Sequence, residues 1–478
     1  MFPNANALVP VEELLALNEA LRKSATIGYQ TPAGTTGGAT GNLSPLVAQS
    51  IEGTLTSTTF TQKALVFWPM LPKTQIGQTV HEYSRVIEHG QDVDPFIGEG
   101  GAGTDSESKY DRKFVRVKYL AERKTVTDVS TMVGLIGSNP AALAEATEKG
   151  TISLLKKLEL ALLFSKDTLS AKHWHGVIPQ IIDGAPENVT DARGKTVTPN
   201  LLQFILGELC APPRYGEPDV ILVDTKAHTA LVNYANQFGR HDQLQAANGV
   251  VTYGPPGLQI TGPFGPVPIK AVPFLLRDFA PSATASSATA PATPTFAVDG
   301  GGTVASAVAG SKWVADDVGE YVYKFVAVST DDDAGGYSAP LTSSAVTIAA
   351  AGDAPSFEVS HPNGADYLRI YRSTKGGAAS TCKLIDEIPV NTDGAHSKTA
   401  WTDLNEWLPG TSCILLLQMS SDTIEFVRLL DFIRRPLPVP KTVNTFLLML
   451  FGAPIVKVPT KGWLIKNAGV PAPTDLLT

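Results

Sequence analysis

Ala280-Pro281-Ser282-Ala283-Thr284-Ala285-Ser286-Ser287-Ala288-Thr289-Ala290-Pro291-Ala292-Thr293-Pro294-Thr295 is built from four residue types only. Such a run offers too little apolar surface to offset the entropy of ordering. It therefore reads as a linker over 280–295. It lies well inside a chain of 478 residues. From its end to residue 410 the chain has the pattern of a self-contained β domain. The segments before the linker and from 411 onward read as two halves of one interrupted body.

The β pattern after the linker is regular. Tyr321–Ser329, Ala345–Ile348, Phe357–Ser360, Tyr367–Tyr371, Lys383–Ile388 and Thr399–Thr402 are short strand-like runs separated by turn clusters. That spacing predicts an all-β sandwich over 296–410. The preceding stretch, 199–279, alternates helix and strand: helices over Thr198–Leu209 and Lys226–Phe238, strands over Asp219–Val223, Leu258–Thr261 and Val267–Val272. This is an α/β layer. Its character returns over 411–478, in Ile424–Ile433 and Phe446–Phe451, and closes with strands at Ile455–Val458 and Gly462–Ile465.

The N-terminal part has a different plan. Over 1–60 a short amphipathic helix at Val11–Arg22 and a glycine-rich loop at Gly34–Gly41 have little core of their own, so this is an extended arm. Within 61–198, Thr79–Glu88 and Lys113–Ala121 form the legs of a long β-hairpin. In the return leg Val115, Val117 and Tyr119 alternate with Arg116 and Lys118. The glycine-rich stretch Gly98–Ser106 is its tip. Ser138-Asn139-Pro140 then caps a helix predicted over 138–169, with Leu143, Ile152, Leu155, Leu158 and Leu162 at helical spacing. At 1.5 Å per residue it spans about 45 Å. A long hairpin of this kind buries little within one molecule and finds its partner surface on a neighbouring chain.

Composition sets bounds. Hydrophobic residues make up 43% and charged residues 18%, a globular balance; 42 Gly and 35 Pro fit many turns. The formal charge of −8 disfavours nucleic-acid binding over the whole surface. Cys210, Cys382 and Cys413 are widely spaced, with no CxxC pair, and read as free thiols. No apolar run is long enough for a membrane helix and no secretory signal stands at Met1–Ala20, so a cytoplasmic origin without a membrane partner is expected.

The order of arm, hairpin, long helix, α/β lobe and closing strands resembles the major capsid proteins of tailed bacteriophages, the Hong-Kong-97-like family. Thr125–Ser130 leads from hairpin to helix as the family's extended loop leads into its spine helix. Trp174-His175-Gly176-Val177-Ile178-Pro179-Gln180-Ile181 looks like its turn after that helix. Phe451-Gly452-Ala453-Pro454 and Val458–Asn467 look like the closing strands of its peripheral domain. Tyr367–Ser373 with Gly376-Gly377, and Tyr323–Val328 with Gly336–Pro340, resemble a fibronectin type III or immunoglobulin-like module. The resemblance implies an α+β fold: N-arm, extended β-hairpin loop, spine helix and α/β axial lobe, with an inserted all-β sandwich. It implies a structural protein of the virion, assembled in the host cytoplasm. Its copies would form hexamers and pentamers of an icosahedral shell around double-stranded DNA, the insert facing outward. Implied partners are the chain itself, scaffolding, portal and decoration proteins, and packaged DNA touched non-specifically. The alternative is a phage tail or adhesin subunit whose sandwich binds host glycans, which leaves the long helix and hairpin unexplained.

The residues bearing chemistry point to assembly. The return leg is basic, and Lys109, Arg112, Lys113, Arg116, Lys118 and Arg123 are the candidate inter-subunit contacts, through charge pairing across copies. A solvated face is the plainer reading, with DNA contact behind both. Some relatives join a hairpin lysine to a neighbour's asparagine; Lys109 and Asn467 could be proposed, but no such bond is expected. His173 and His175 could present two imidazoles to a metal; without an acidic or cysteine partner the pair reads as a packed or surface turn. Asp331-Asp332-Asp333 could hold calcium, but lacks the full loop pattern and reads as a solvated turn. No phosphate cradle, GxSxG or HExxH occurs. Neither a catalytic residue nor a cofactor or metal is expected.

Overall fold

A computed structural model describes residues 62–90, 94, 96–103, 105–129, 142–238, 258–297, 302–331, 335–390, 398–438 and 442–470. The arm at 1–60, with its helix and glycine loop, and the Ser138–Pro140 cap lie outside the described residues. So do Asp332 and Asp333 of the acidic triplet.

The chain opens with a short helix, α1 (Phe67–Met70), and strand β1 (Lys73–Gln75). Then come β2 (Val80–Glu88), β3 (Lys109–Arg116), β4 (Lys118–Thr127) and the long helix α2 (Ala142–Phe164). The α/β stretch holds α3 (Val177–Gly184), β5 (Val189–Asp191), α4 (Pro199–Cys210), β6 (Val220–Val223), α5 (Thr225–Phe238), β7 (Gln259–Gly262) and β8 (Gly265–Ala271). An all-β region comes next: β9 (Thr295–Phe296), β10 (Thr303–Ala305), β11 (Gly319–Tyr321), β12 (Tyr323–Ser329), β13 (Gly336–Tyr337), β14 (Leu341–Thr342) and β15 (Val346–Ile348). It continues through β16 (Ala354–Ser360), β17 (Tyr367–Arg372), β18 (Lys383–Pro389) and β19 (Lys398–Thr402). The chain closes with β20 (Ser412–Leu417), β21 (Ile424–Pro436), β22 (Val443–Val456) and β23 (Trp463–Ala468).

The fold is α+β, and the sequence of hairpin, long helix, α/β lobe and closing strands is the one expected. A mixed six-stranded sheet, ordered β5-β23-β20-β6-β8-β7, makes the lobe. Its strand β6 reads Val-Ile-Leu-Val and is buried at all four positions, as a strand covered on both faces should be. On one face lies α4, whose start is set by Thr198 accepting from the Leu201 N–H and by Pro199 in the first turn. Leu202, Leu206 and Leu209 of α4 pack with Ile221, Val223, Ile414 and Ile465. A second core joins α2 and α3 to the sheet's other face and to β21 and β22, through Leu158, Leu162, Ile178, Leu222, Phe426 and Leu450.

The four-stranded sheet β1-β21-β22-β4 corrects two expectations. First, Ile424–Ile433 and Phe446–Phe451 are parts of two long antiparallel strands, β21 and β22, rather than of an α/β unit. Second, Lys113–Ala121 is not one strand. Val117 interrupts it: β3 pairs with β2, whereas β4 pairs with β22 from Val443↔Thr127 to Gly452↔Lys118. The simple alternation breaks with it, since Val117 is buried while Tyr119 is exposed. The closing strands also divide. β22 joins the hairpin side, but β23 sits in the six-stranded sheet beside β20 and β5.

Gly150 in α2 is a packing glycine. A Cβ there would stand 2.7 Å from the Leu448 Cδ1 of β22 and 3.1 Å from the Lys124 Cε of β4, so a larger residue would have to push these side chains aside.

The all-β region has sheets β10-β16-β19 and β13-β12-β17-β18, plus the pair β11-β15. Tyr323, Phe325, Phe357 and Ile370 form its aromatic-rich core. Its chain leaves and rejoins the lobe at one point: Leu276 bridges Ser412, and the Arg277 N–H donates to the Thr411 carbonyl. The Ala/Ser/Thr/Pro stretch carries no regular element before Thr295, yet Ser286 is bonded to Tyr337 in both directions at 2.9 Å. The region is wired to the lobe. Buried Arg277 donates to the Ile385 carbonyl and lies over the Trp407 ring at 4.1 Å. Arg193 donates to Asp317 at 2.7 Å, and Leu169 packs with Val326, Val328 and Tyr371.

Candidate functional site

The hairpin is the element whose surface is least satisfied within the molecule. Its two faces follow from strand alternation. One leans on the body: His81 lies 4.0 Å from Glu425, and Arg85 donates to the Lys457 carbonyl at 3.4 Å. The other carries Val80, Val86, Tyr110 and Phe114, all exposed. With Ile87, Phe96, Ile97 and Tyr119, the segment 80–119 holds eight of the fifteen large hydrophobic residues exposed among the described residues. Phe96 at the tip is 88% exposed. Apolar surface gathered on one projecting element marks an interaction site.

Of the six candidate contacts, Lys109, Arg112, Lys113 and Arg116 lie on β3 of the hairpin, and Lys118 and Arg123 on β4. Lys109 pairs with Glu88 at 2.6 Å, and Arg112 with Glu82, each across the β2–β3 ladder. Lys113 is 3.5 Å from Asp111. The Arg85 hydrogen bond, followed by Lys113, holds the Asp111 carboxyl below its ordinary range. Lys118 donates to the Ala171 carbonyl. Arg116 and Arg123 are exposed. Four of the six are thus engaged within their own chain. Asn467 is fully buried, donating to Asp191 and to the Glu406 carbonyl and accepting from the Leu408 N–H, so it is closed to a lysine from outside.

Beside the hairpin base an open-sided cleft of about 1120 Å³ runs between α2 and the all-β region. Phe164, Ile182, Phe279 and Trp407 give it apolar walls. Six cationic side chains line it, against two carboxylates, Asp183 and Glu387. Lys157 and Lys166 among them already pair with Glu122 and Asp386. Burial acts to raise the Glu122 carboxyl, but bonds from Lys124 and Lys157 outweigh it and hold it low.

The two histidines part company at this cleft. His173 packs its ring edge-on to Tyr367, and burial lowers its pKa. His175 lies between Asp167 at 2.9 Å and Asp183 at 3.0 Å, acidic partners that the sequence reading missed. The two rings thus take different partners. Gln180, in the Trp174–Ile181 turn, staples α3 to β22: it donates to the His175 and Pro454 carbonyls and accepts from the Val456 N–H.

Sequence reading also missed Glu159. It is fully buried in α2 and accepts the backbone N–H groups of Val66, Phe67 and Trp68 at 3.2, 2.7 and 2.9 Å. The signal was its place beside Leu158 on the apolar stripe.

No family model matches the chain. It is similar to the major capsid protein of Staphylococcus phage S25-3, 24% identical over 456 residues, which cover 92% of this chain and 93% of that one. The major capsid protein of Staphylococcus phage K gives the same identity and coverage. Among solved structures, an encapsulin complex from Synechococcus elongatus aligns with 89% of this chain and 94% of its own, at 10% identity and a TM-score of 0.44. A structure of Gordonia phage Cozz aligns with 91% and 99%, at 9% identity and a TM-score of 0.43. The expected resemblance is therefore borne out: along nine-tenths of its length the chain is similar to phage major capsid proteins.

Proposed function

We propose that this chain is a major capsid protein, a structural and non-enzymatic subunit whose copies close an icosahedral phage head. The observation that carries the reading is the whole-length match: 92% of this chain against 93% of a phage major capsid protein, with no large part of either left over. The exposed apolar face of the hairpin gives that reading a physical basis. Contacts that recur around symmetry axes bury surface which a lone subunit leaves in water. Hexamers and pentamers, with packaged DNA on the inner face and portal and scaffolding proteins as partners, belong to the same proposal. Residues 296–410 are the outward module, because the chain enters and leaves them through a single neck. The arm at 1–60 and the hairpin are the parts reaching neighbours, with Lys109, Arg112, Lys113, Arg116, Lys118 and Arg123 trimming that contact.

Electron microscopy of the purified full chain tests it. Closed shells or ring-shaped capsomers are expected. A protein that stays monomeric at high concentration, with or without phage scaffold, overturns the reading.

A further inference from the structure

The stretch 165–173, between α2 and α3, is a seam along which the all-β region rests on the body. Leu169 packs with Val326 of β12 and Tyr371 of β17. Lys166 bonds Asp386 of β18 at 3.0 Å, and Ser170 meets Thr330 at 3.1 Å. His173 closes the seam, its ring edge-on to Tyr367 with centroids 5.7 Å apart.

The surroundings of His173 suit a neutral ring. The Lys166 carbonyl accepts from it, and Nδ1 is left buried without a partner. In the neutral imidazole Nδ1 is a bare acceptor. Imidazolium would make it a charged donor with nothing to receive its proton. The carboxylates at the seam are committed elsewhere. Glu387 is held by Arg369 at 2.8 Å, Asp386 by Lys166, and Asp366 by the Thr330 hydroxyl at 2.7 Å. Arg369, Lys166 and Lys172 add positive charge around the same stretch. His173 nevertheless lines the open-sided cleft, so solvent protons reach it. Two residues on, His175 is placed in the opposite way. A charge on that ring meets Asp167 at 2.9 Å and Asp183 at 3.0 Å, both on the body's side of the seam.

We propose that His173 is an acid-sensitive latch: when its ring takes a second proton, the all-β region loosens from 165–173 while the neck at Leu276 and Ser412 stays joined. Burial pushes the His173 pKa down. The latch is therefore at full strength above the ordinary histidine value of about 6.5 and weakens as pH falls from there through the lowered one. Its acid response would let the all-β region shift on the body without unfolding of the lobe. Such a latch works in one chain or in an assembled shell alike.

Hydrogen exchange of the full-length protein, read by mass spectrometry at about pH 7.5 and about pH 5 and corrected for the intrinsic pH dependence of exchange, tests it. The Leu169 and His173 amides report the seam, since they bond the Lys166 and Ser170 carbonyls. The Arg277 amide, bonded to the Thr411 carbonyl, reports the neck. Protection at the seam should drop several-fold in acid, with none lost at the neck. His173→Gln and His173→Phe, which take up no proton there, should abolish the drop, and His175→Gln should keep it. Seam protection that is the same at both pH values in wild type overturns the latch. So does an equal loss at the neck, or an undiminished drop in both His173 variants. The wild-type contrast between seam and neck decides the matter even where a variant folds poorly. No readout depends on particle formation, so failure here leaves the capsid reading standing.

Discussion

Arg372 of β17 and Asp403 meet at 2.5 Å in the interior of the all-β region, with side chains 1% and 4% exposed. Tyr323 donates its hydroxyl to the same carboxylate at 2.9 Å, and Asn405 accepts from the guanidinium at 2.7 Å. The Arg372 guanidinium also lies over the Trp313 ring. Removing one partner of a buried ion pair strands the other charge, at a cost of about 3–5 kcal/mol. Asp403→Ala should lower the unfolding free energy of this region by that amount, read as a shift of its transition in urea.

Glu159 gives a pH signature. Burial raises its carboxyl, against the three N–H donors that favour the charged form. A carboxyl whose value is higher in the folded chain holds its proton more tightly there. Its contribution is therefore full below the ordinary carboxylate value and fades as pH rises through the raised one. Glu159→Gln cannot titrate. The stability of wild type relative to Glu159→Gln should fall as pH rises above the ordinary carboxylate value. A gap that widens over that range would contradict the assignment.

Glu406 behaves in the opposite sense. Burial pushes its carboxyl up, but bonds from Lys312 of the all-β region and Lys466 of β23 prevail and lower it. Its contribution is present above the ordinary carboxylate value and is lost as pH falls through the lowered one. The side chain is 44% exposed, so screening keeps the effect small. Hydrogen exchange at the Glu406–Ser412 amides should be faster in Glu406→Gln than in wild type at neutral pH. The two should converge in acid.

Gly452 has no room for a side chain. A Cβ would stand 2.4 Å from the Phe426 ring and 2.5 Å from the Val427 carbonyl. Neither can retreat, because Phe426 is fully buried and Val427 is held in the β21–β22 ladder. Gly452→Ala should cost about 1–3 kcal/mol as an overpacked core substitution. It should depress the thermal midpoint without changing the helix signal in circular dichroism.

Leucine spacing located α2, and its described span, Ala142–Phe164, lies inside the predicted 138–169. The helix expected over Thr198–Leu209 is α4, Pro199–Cys210, and the strand expected over Asp219–Val223 is β6, Val220–Val223. These signals are local, so a single sequence carries them. The partners of β22 were not legible. Thr445 pairs with Thr125, 320 positions away, and no local period encodes that distance. The change of partner at Val117 escaped for the same reason. So did Arg193–Asp317 and the two aspartates flanking His175, because polar side chains give no periodic trace of what they will face. For the assembly surface, composition disclosed the glycine-rich tip and the basic return leg. The cleft needs α2, the linker and β17 brought together, and only the fold does that.

The bridge between Leu276 and Ser412 has an evolutionary corollary. Since the lobe needs only two adjoining ends to stay whole, the polypeptide between them is free to be exchanged as a cassette. A substitute could be grafted there, provided it offers a carboxylate to Arg193 of the lobe, as Asp317 does. Closely related chains should therefore diverge most in size and sequence between these two positions, while the strands on either side keep their register.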